Sequence, residues 1–208
     1  MALSNLAQWD DKHRAAGNGA TPEPASFVRE LLPLLPKGPA LDLACGTGRH
    51  TLLLASRHQH VTAVDGSPIA LEILERHAHD AHQAVRRLDS SIGVSKGGIA
   101  LVCADLEAAT LPVATFALIL CVHYLQRSLF AQIERALAPG GVLLFETYTC
   151  AQLEFEGGPQ NPEYLLRTGE LRDAFPSLRL IFYRELRAVK GMASLIAQKP
   201  VESKRRAA

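Results

Sequence analysis

Residues 41–50, Leu-Asp-Leu-Ala-Cys-Gly-Thr-Gly-Arg-His, join the end of an apolar run to two glycines and open at once into a helix-like segment, Thr51 to Ala55. Ala40 to Ala44 reads as a buried strand, and Gly46 and Gly48 supply a tight turn that lets backbone N–H groups approach a ligand closely. A strand, a glycine turn and a helix in this order suit an α/β architecture with a ligand at one edge of the sheet, but a plain glycine turn reads the same way, and the following markers decide between them.

Two further apolar runs end in carboxylates. Val61-Thr62-Ala63-Val64-Asp65 places an acid a little under the roughly 20-residue offset at which Rossmann-like folds bind ribose hydroxyls. Asp65 is also suited to the start of the helix that follows at Ser67-Pro68, and both roles can hold together. Ile99 to Ala104 then delivers Asp105. Three successive strands, bearing Asp42, Asp65 and Asp105, bring acids to one sheet edge. A nicotinamide dinucleotide would want a third glycine where Thr51 stands, and Asp42 before the turn suits a positively charged ligand better than a pyrophosphate.

These residues resemble the class I S-adenosylmethionine-dependent methyltransferases, and more narrowly the small tellurite-resistance (TehB-like) branch. The resemblance is carried by Asp42-Leu43-Ala44-Cys45-Gly46-Thr47-Gly48, by Asp65, by Asp105-Leu106, by Cys121 to Phe130, by Leu137-Ala138-Pro139-Gly140-Gly141, and by Asn161 to Leu166 with Gly169-Glu170-Leu171. It implies S-adenosylmethionine as cofactor, S-adenosylhomocysteine as product, and a cofactor set of Asp42, Ala44, Cys45, Gly46, Gly48, Asp65, Gly66, Asp105, Leu106 and Cys121, with Trp9 on an N-terminal segment over the cofactor. Trp9 reads equally as a hydrophobic anchor for that segment.

The fold implied is a Rossmann-like, mostly parallel seven-stranded sheet with helices on both faces. Leu178–Leu186 and Gly191–Ile196 form its antiparallel closing hairpin. Residues 1–38 form an N-terminal cap and helix, 39–150 the cofactor-binding core, 151–200 a substrate-side segment and hairpin, and 201–208 a flexible tail, all within one methyltransferase domain. Pro24 to Leu35 reads as one helix, with Phe27, Val28, Leu31, Leu32 and Leu35 on a single face.

Thr115 to Cys121 offers no acid, and Val122-His123-Tyr124 cannot form the Asn/Asp-Pro-Pro-Tyr motif of DNA and protein amide methyltransferases. A small-molecule acceptor is therefore expected, a thiol or a tellurite/selenite-type oxyanion. His123 and Tyr124 fall at the carboxyl edge of their strand and are the expected catalytic residues, His123 as proton acceptor or hydrogen-bond donor. Tyr148, Arg127 and Arg167 are the expected substrate residues, with Arg172 a further candidate for an anion.

Lys and Arg number 22 against 21 acids, for a net charge of +1, so no general attraction to a phosphate backbone is expected. Lys204-Arg205-Arg206 is the only dense basic run. No apolar stretch is long enough to span a bilayer, and four cysteines without CxxC spacing suit a reducing compartment, which makes the cytoplasm the expected location. His77, His79 and His82 lack the partners of a zinc site, and no metal is expected. The chain is expected to act as a monomer or homodimer without membrane or nucleic-acid partners. Two other readings remain open: a non-catalytic S-adenosylmethionine-binding regulator and a nicotinamide-dependent oxidoreductase.

Overall fold

Eight strands form one sheet in the computed structural model, which describes residues 3–16, 19, 21–57, 60–89 and 91–201. The apolar runs supply its centre: β1 (Ala40–Leu43), β2 (His60–Asp65), β4 (Gly98–Cys103) and β5 (Phe116–Val122) are buried over most of their lengths. Such continuous burial is what a parallel sheet covered on both faces requires. Beyond these lie β3 (Val85–Arg87), β6 (Leu137–Tyr148), β7 (Arg179–Arg187) and β8 (Gly191–Gln198), and the order across the sheet is β3-β4-β2-β1-β5-β6-β8-β7.

All neighbours pair in parallel from β3 to β6; β8 runs antiparallel to β6 and to β7. The closing hairpin thus forms where the sequence placed it. The seven-strand expectation is corrected to eight, because Val85–Arg87 adds a parallel edge strand through pairs such as Val85 with Ile99. With only three residues, two of them arginine, it lacks the apolar run that marks its neighbours.

The helices are α1 (Leu3–Ala16), α2 (Ser26–Leu31), α3 (Arg49–Ala55), α4 (Pro68–Asp80), α5 (Phe130–Ala136) and α6 (Glu170–Asp173). The single helix expected from Pro24 to Leu35 is shorter: α2 gives way to a 3-10 turn at Leu32–Leu34 containing Pro33, whose ring removes the N–H that would continue the ladder. Residues 1–2, 17–18 and 20 of the expected N-terminal cap, and 202–208 of the expected tail with its basic run, lie outside the described residues.

Period-two alternation sorts the sheet's side chains between two apolar layers. Leu41, Leu43, Ile119, Leu143 and Phe145 point to one, with Phe175 and Leu171 packed there; Leu118, Leu120 and Leu144 point to the other, covered by Phe27 and Val28 of α2. Pro139-Gly140-Gly141 does not precede the next strand but lies inside β6 as an irregularity, since β5 pairs Phe116 with Leu137 and then Leu118 with Val142. A Cβ on Gly141 would lie 2.8 Å from the carbonyl oxygens of both Ala138 and Phe116, so the bulge needs glycine there.

Candidate active site

β1 pairs with β2 on one side and β5 on the other, which makes the carboxyl end of β1 the switch point where open α/β sheets bind their ligands. The chain leaves β1 through Ala44, held at φ 54°, and Gly46 and Gly48, at 55° and 88°. The Cys45 N–H donates to the Val64 carbonyl at 3.0 Å, tying this loop to β2. Gly48 is fixed by space as well as by backbone angle: a Cβ there would lie 2.0 Å from Cδ1 of Leu74 in α4.

The Asp65 carboxylate organises the turn. Its two oxygens accept from the Gly46 N–H at 2.8 Å and the Ser67 N–H at 2.9 Å, while the Ser67 hydroxyl caps α4 by accepting from the Ala70 N–H. Asp65 therefore braces both loops, and the N-cap role belongs to Ser67. Burial pushes its carboxyl up, opposed by these backbone donors. Each oxygen retains a lone pair for a further donor.

Asp65 and Gly66 form one wall of a cleft of about 510 Å³, open mouth included. Cys103, which ends β4, and Ala104, Asp105 and Leu106 after it run along a second wall; Ala44, Leu6 of α1 and Tyr124 complete the lining. Five of the residues expected at a cofactor, Ala44, Asp65, Gly66, Asp105 and Leu106, thus meet at one cleft, together with Tyr124 from the expected catalytic pair. Burial pushes the Tyr124 phenol up, so it stays protonated and available as a donor. Asp105 accepts from the Glu107 N–H at 3.0 Å, which holds its carboxyl below the usual range.

Other expected cofactor residues are not among the lining residues. Asp42 is buried and accepts from the Thr51 hydroxyl at 2.6 Å. Cys45 and Cys121 are buried small groups, and desolvation raises both thiols. Trp9 is 40 % exposed, beside Lys12 and His13, and is not among the lining residues. The same helix reaches the cleft through Leu6, and Asp10 accepts from the Ser67 hydroxyl. Leu6, Cys103 and Ala104 were not singled out in the sequence. The position of Cys103 and Ala104 between an apolar strand and Asp105 was the available signal; Leu6 carries none.

A second group of side chains gathers at the carboxyl ends of β5 and β6. His123 holds φ at 60°, an unfavourable angle for a side-chain-bearing residue, and its N–H donates to the Glu146 carbonyl at 2.8 Å. Its ring lies 5.1 Å from that of Tyr148, and Nη2 of Arg49 reaches its Nδ1 at 3.0 Å. A guanidinium only donates, so Nδ1 is the acceptor and Nε2 carries the proton. Desolvation, then the charges of Arg49 and Lys190, bring the imidazole down to about 4; the residue is nonetheless exposed, so the contact with Arg49 at Nδ1 is the firmer sign that the ring is neutral. The neutral ring is a hydrogen-bond donor and a weak base.

Arg127 and Arg167 do not join this group. The Arg127 guanidinium donates to both carboxylate oxygens of Glu170, at 2.5 and 3.0 Å, and to the carbonyls of Glu163 and Leu165. Arg167 is largely exposed and lies 3.4 Å from the same carboxylate. Arg172 pairs with Asp173. Arg127 thereby holds residues 163–170 against the loop that follows β5. Leu166 is also bridged to Thr149 beyond β6, which sets the segment beside Tyr148. The His77 ring nitrogens face the carbonyls of Thr47 and Gly19, and no group of three or more His, Cys, Asp or Glu placed to hold a metal ion occurs among the described residues.

Residues 40–141 match the methyltransferase domain family. The match runs from β1 into β6 and contains the switch point, the Asp65 turn and all of the cleft except Leu6. The family implies S-adenosylmethionine as the cofactor. The chain shares its fold with an S-adenosylmethionine-dependent methyltransferase from Mesorhizobium loti, at 18% identity, TM-score 0.62, over 84% of this chain and 98% of that one. TehB from Haemophilus influenzae matches at 17% identity, TM-score 0.67, over 92% and 67% of the two chains. The cyclase SpnF matches at 16% identity, TM-score 0.63, over 84% and 79%. These likenesses carry the Rossmann-like fold. No curated protein sequence matches the chain.

The residues present fit that cofactor. A buried carboxylate with lone pairs left over suits a ribose diol, and the apolar lining supplied by Leu6, Ala104 and Leu106 suits a nucleobase. Thr51, at the place of a dinucleotide fold's third glycine, is buried and committed to Asp42. No helix among the described residues is long and apolar enough to cross a membrane.

Proposed function

We propose that this protein is an S-adenosylmethionine-dependent methyltransferase of a small-molecule acceptor, with Asp65 on the ribose, Gly66, Asp105 and Leu106 around the adenine, and Ala44 and the Gly46 turn beside the methionine. The observation that carries this reading is the Asp65 carboxylate, braced by Gly46 and Ser67 at the wall of a mostly apolar cleft on the switch point. When bound, S-adenosylmethionine supplies an activated methyl group on a sulfonium.

The chain's own contribution is alignment, which can supply roughly 7–11 kcal/mol of a barrier. Tyr124 donates from the cleft wall, and His123 donates through Nε2 from a strained backbone position. With Nδ1 engaged by Arg49 and the imidazole at about 4, His123 does not serve as a strong base. This favours an acceptor already nucleophilic at neutral pH, a thiolate or a tellurite/selenite-type oxyanion, over an alcohol or amine. It is in this respect that the TehB-like reading is retained. The protein acts as a monomer or homodimer in the cytoplasm, without a nucleic-acid substrate, since its charge is nearly balanced.

Calorimetric titration with S-adenosylmethionine, S-adenosylhomocysteine and NAD tests this. Micromolar binding of the two adenosyl ligands, weakened at least about tenfold by Asp65→Ala, is expected; binding of NAD alone overturns the reading. Adenosyl binding without turnover of thiols, selenite or tellurite would favour the regulator reading.

A further inference from the structure

Arg49 is placed differently from three other arginines of the chain. Arg127, Arg184 and Arg187 each lie within 4 Å of a carboxylate, Glu170, Glu146 and Glu154 respectively. Arg49 has no carboxylate within that distance among the described residues; the polar group it meets is the neutral Nδ1 of His123, which cannot neutralise it. Its side chain is partly buried, so water compensates the charge incompletely.

Three other groups face the same place. Lys190, in the exposed turn between β7 and β8, precedes Gly191, whose carbonyl accepts from the N–H of Thr149 at 3.0 Å, next to Tyr148, and its charge acts on His123. The Tyr148 ring lies against His123, and the Arg49 charge acts on its phenol. The nearest acid on β6, Glu146, is committed to the Ser194 hydroxyl at 2.7 Å and to Arg184. The carboxyl ends of β5 and β6 therefore present two cations, one imidazole N–H and one phenol; the carboxylates that act on them are Asp42, buried and held by the Thr51 hydroxyl, and Glu146. None of these four groups lines the adenosine-type cleft, which begins at the adjacent residues Ala44 and Tyr124.

We infer that Arg49 and Lys190 form an anion subsite for the methyl acceptor, with His123 Nε2 and the Tyr148 hydroxyl as neutral donors, so that the acceptor carries an anionic oxygen group. Such a group can be the acceptor's own oxyanion or a carboxylate on an organic acceptor, and the planar guanidinium suits both. Arg49 bridges the two parts of the site, because it immediately follows the Gly46–Gly48 turn while its guanidinium reaches the end of β5. The inference rests on the methyltransferase reading, which gives the subsite its purpose.

The test reads binding rather than turnover. Imidazole nitrogen shifts of His123 and ring shifts of Tyr148 are followed by NMR as sodium selenite or sodium acetate is added at constant ionic strength against chloride. The protein is used alone and saturated with S-adenosylhomocysteine. A saturable shift with either probe, weakened at least about fivefold in both Arg49→Gln and Lys190→Gln, is the expected result. Saturation by selenite alone identifies the oxyanion as the source of the anionic group, and saturation by acetate alone identifies a carboxylate. Lys190 is exposed on a turn, so its variant keeps the test valid if Arg49→Gln folds poorly. No saturation beyond chloride, or equal saturation in the wild type and Lys190→Gln, overturns the inference. Anion binding that persists where S-adenosylhomocysteine fails to bind would instead remove the methyltransferase reading and leave the subsite standing.

Discussion

The Thr51 hydroxyl donates to the Asp42 carboxylate at 2.6 Å, and both side chains are buried. This bond couples the first turn of α3 to β1 directly beneath the glycine turn. It also occupies the residue that could have distinguished a dinucleotide fold, had a glycine stood there.

Burial pushes the Asp42 carboxyl up to about 7, from an ordinary 3.8, against the opposing pull of Thr51. Between those values the folded protein holds a proton that the unfolded chain has released. The group's contribution to stability is therefore present at low pH and is lost as pH rises through the window. Asp42→Asn removes this dependence. Relative to the wild type the variant should gain stability from pH 4 to pH 7.5, on the order of 4 kcal/mol before any cost from an altered Thr51 bond. His50, brought down to about 3 by burial, has the opposite sign, losing its contribution as pH falls below 6.5, but it is present in both proteins and cancels. Urea unfolding at several pH values reads the difference, and a pH-independent gap would contradict the assignment.

Arg127 makes four hydrogen bonds that hold residues 163–170 to the loop after β5. Arg127→Met keeps much of the side chain's apolar stem and removes those donors. A loss of about 1–3 kcal/mol is expected, with faster amide exchange concentrated between residues 162 and 173. Binding of S-adenosylhomocysteine should change little, since none of these residues lines the cleft. Unchanged exchange in that segment would show that the Leu166–Thr149 bridge alone positions it.

How much of this was legible in the sequence follows from what each signal measures. Apolar runs ending in Asp65 and Asp105 report both a buried strand and the chemistry at its carboxyl end, so β2 and β4 and the two acids could be placed together. The edge strand Val85–Arg87 has no such run, because a strand with one buried flank needs no continuous apolarity. Arg127 and Arg49 show a different limit. Both are single arginines near a motif, and nothing local tells that one is matched by Glu170, 43 residues on, while the other meets His123, 74 residues on. The identity of a partner across that separation belongs to the tertiary fold.

Lys199 follows β8 and donates from Nζ to the carbonyls of Glu134, Arg135 and Leu137, at 3.0, 3.2 and 2.8 Å. These are carbonyls at the end of α5, where the helix ladder stops and its dipole favours a cation; the Arg135 carbonyl also accepts from the Ala114 N–H at 2.8 Å. Lys199→Met preserves length and apolarity but supplies no donor. The expected cost is about 1–2 kcal/mol, read as a lower thermal midpoint with no change in S-adenosylhomocysteine affinity. A Lys199→Arg variant should recover part of the loss. An unchanged midpoint in Lys199→Met would mean that water caps this helix equally well.

Gly48 joins the ligand-side turn to the packing of α4, since its missing side chain is the space that Leu74 fills. Gly48→Ala meets two penalties at once. A φ of 88° is strained for alanine, and the new Cβ would overlap Cδ1 of Leu74. Together they should cost on the order of 2–4 kcal/mol. Leu74→Ala alone should cost about 2–5 kcal/mol, because Leu74 is fully buried between Ala63, Leu71 and Leu101. In the double variant the overlap disappears while the backbone strain remains. The combined loss should therefore fall short of the sum by about 1–2 kcal/mol, as neighbours sharing one volume are not additive. S-adenosylhomocysteine affinity offers the matching readout: Gly48→Ala should weaken it by displacing the turn, and Leu74→Ala should restore part of it in the double variant. Strict additivity in both measurements would show that the turn yields away from Leu74, and that strain at φ 88° accounts for the whole effect.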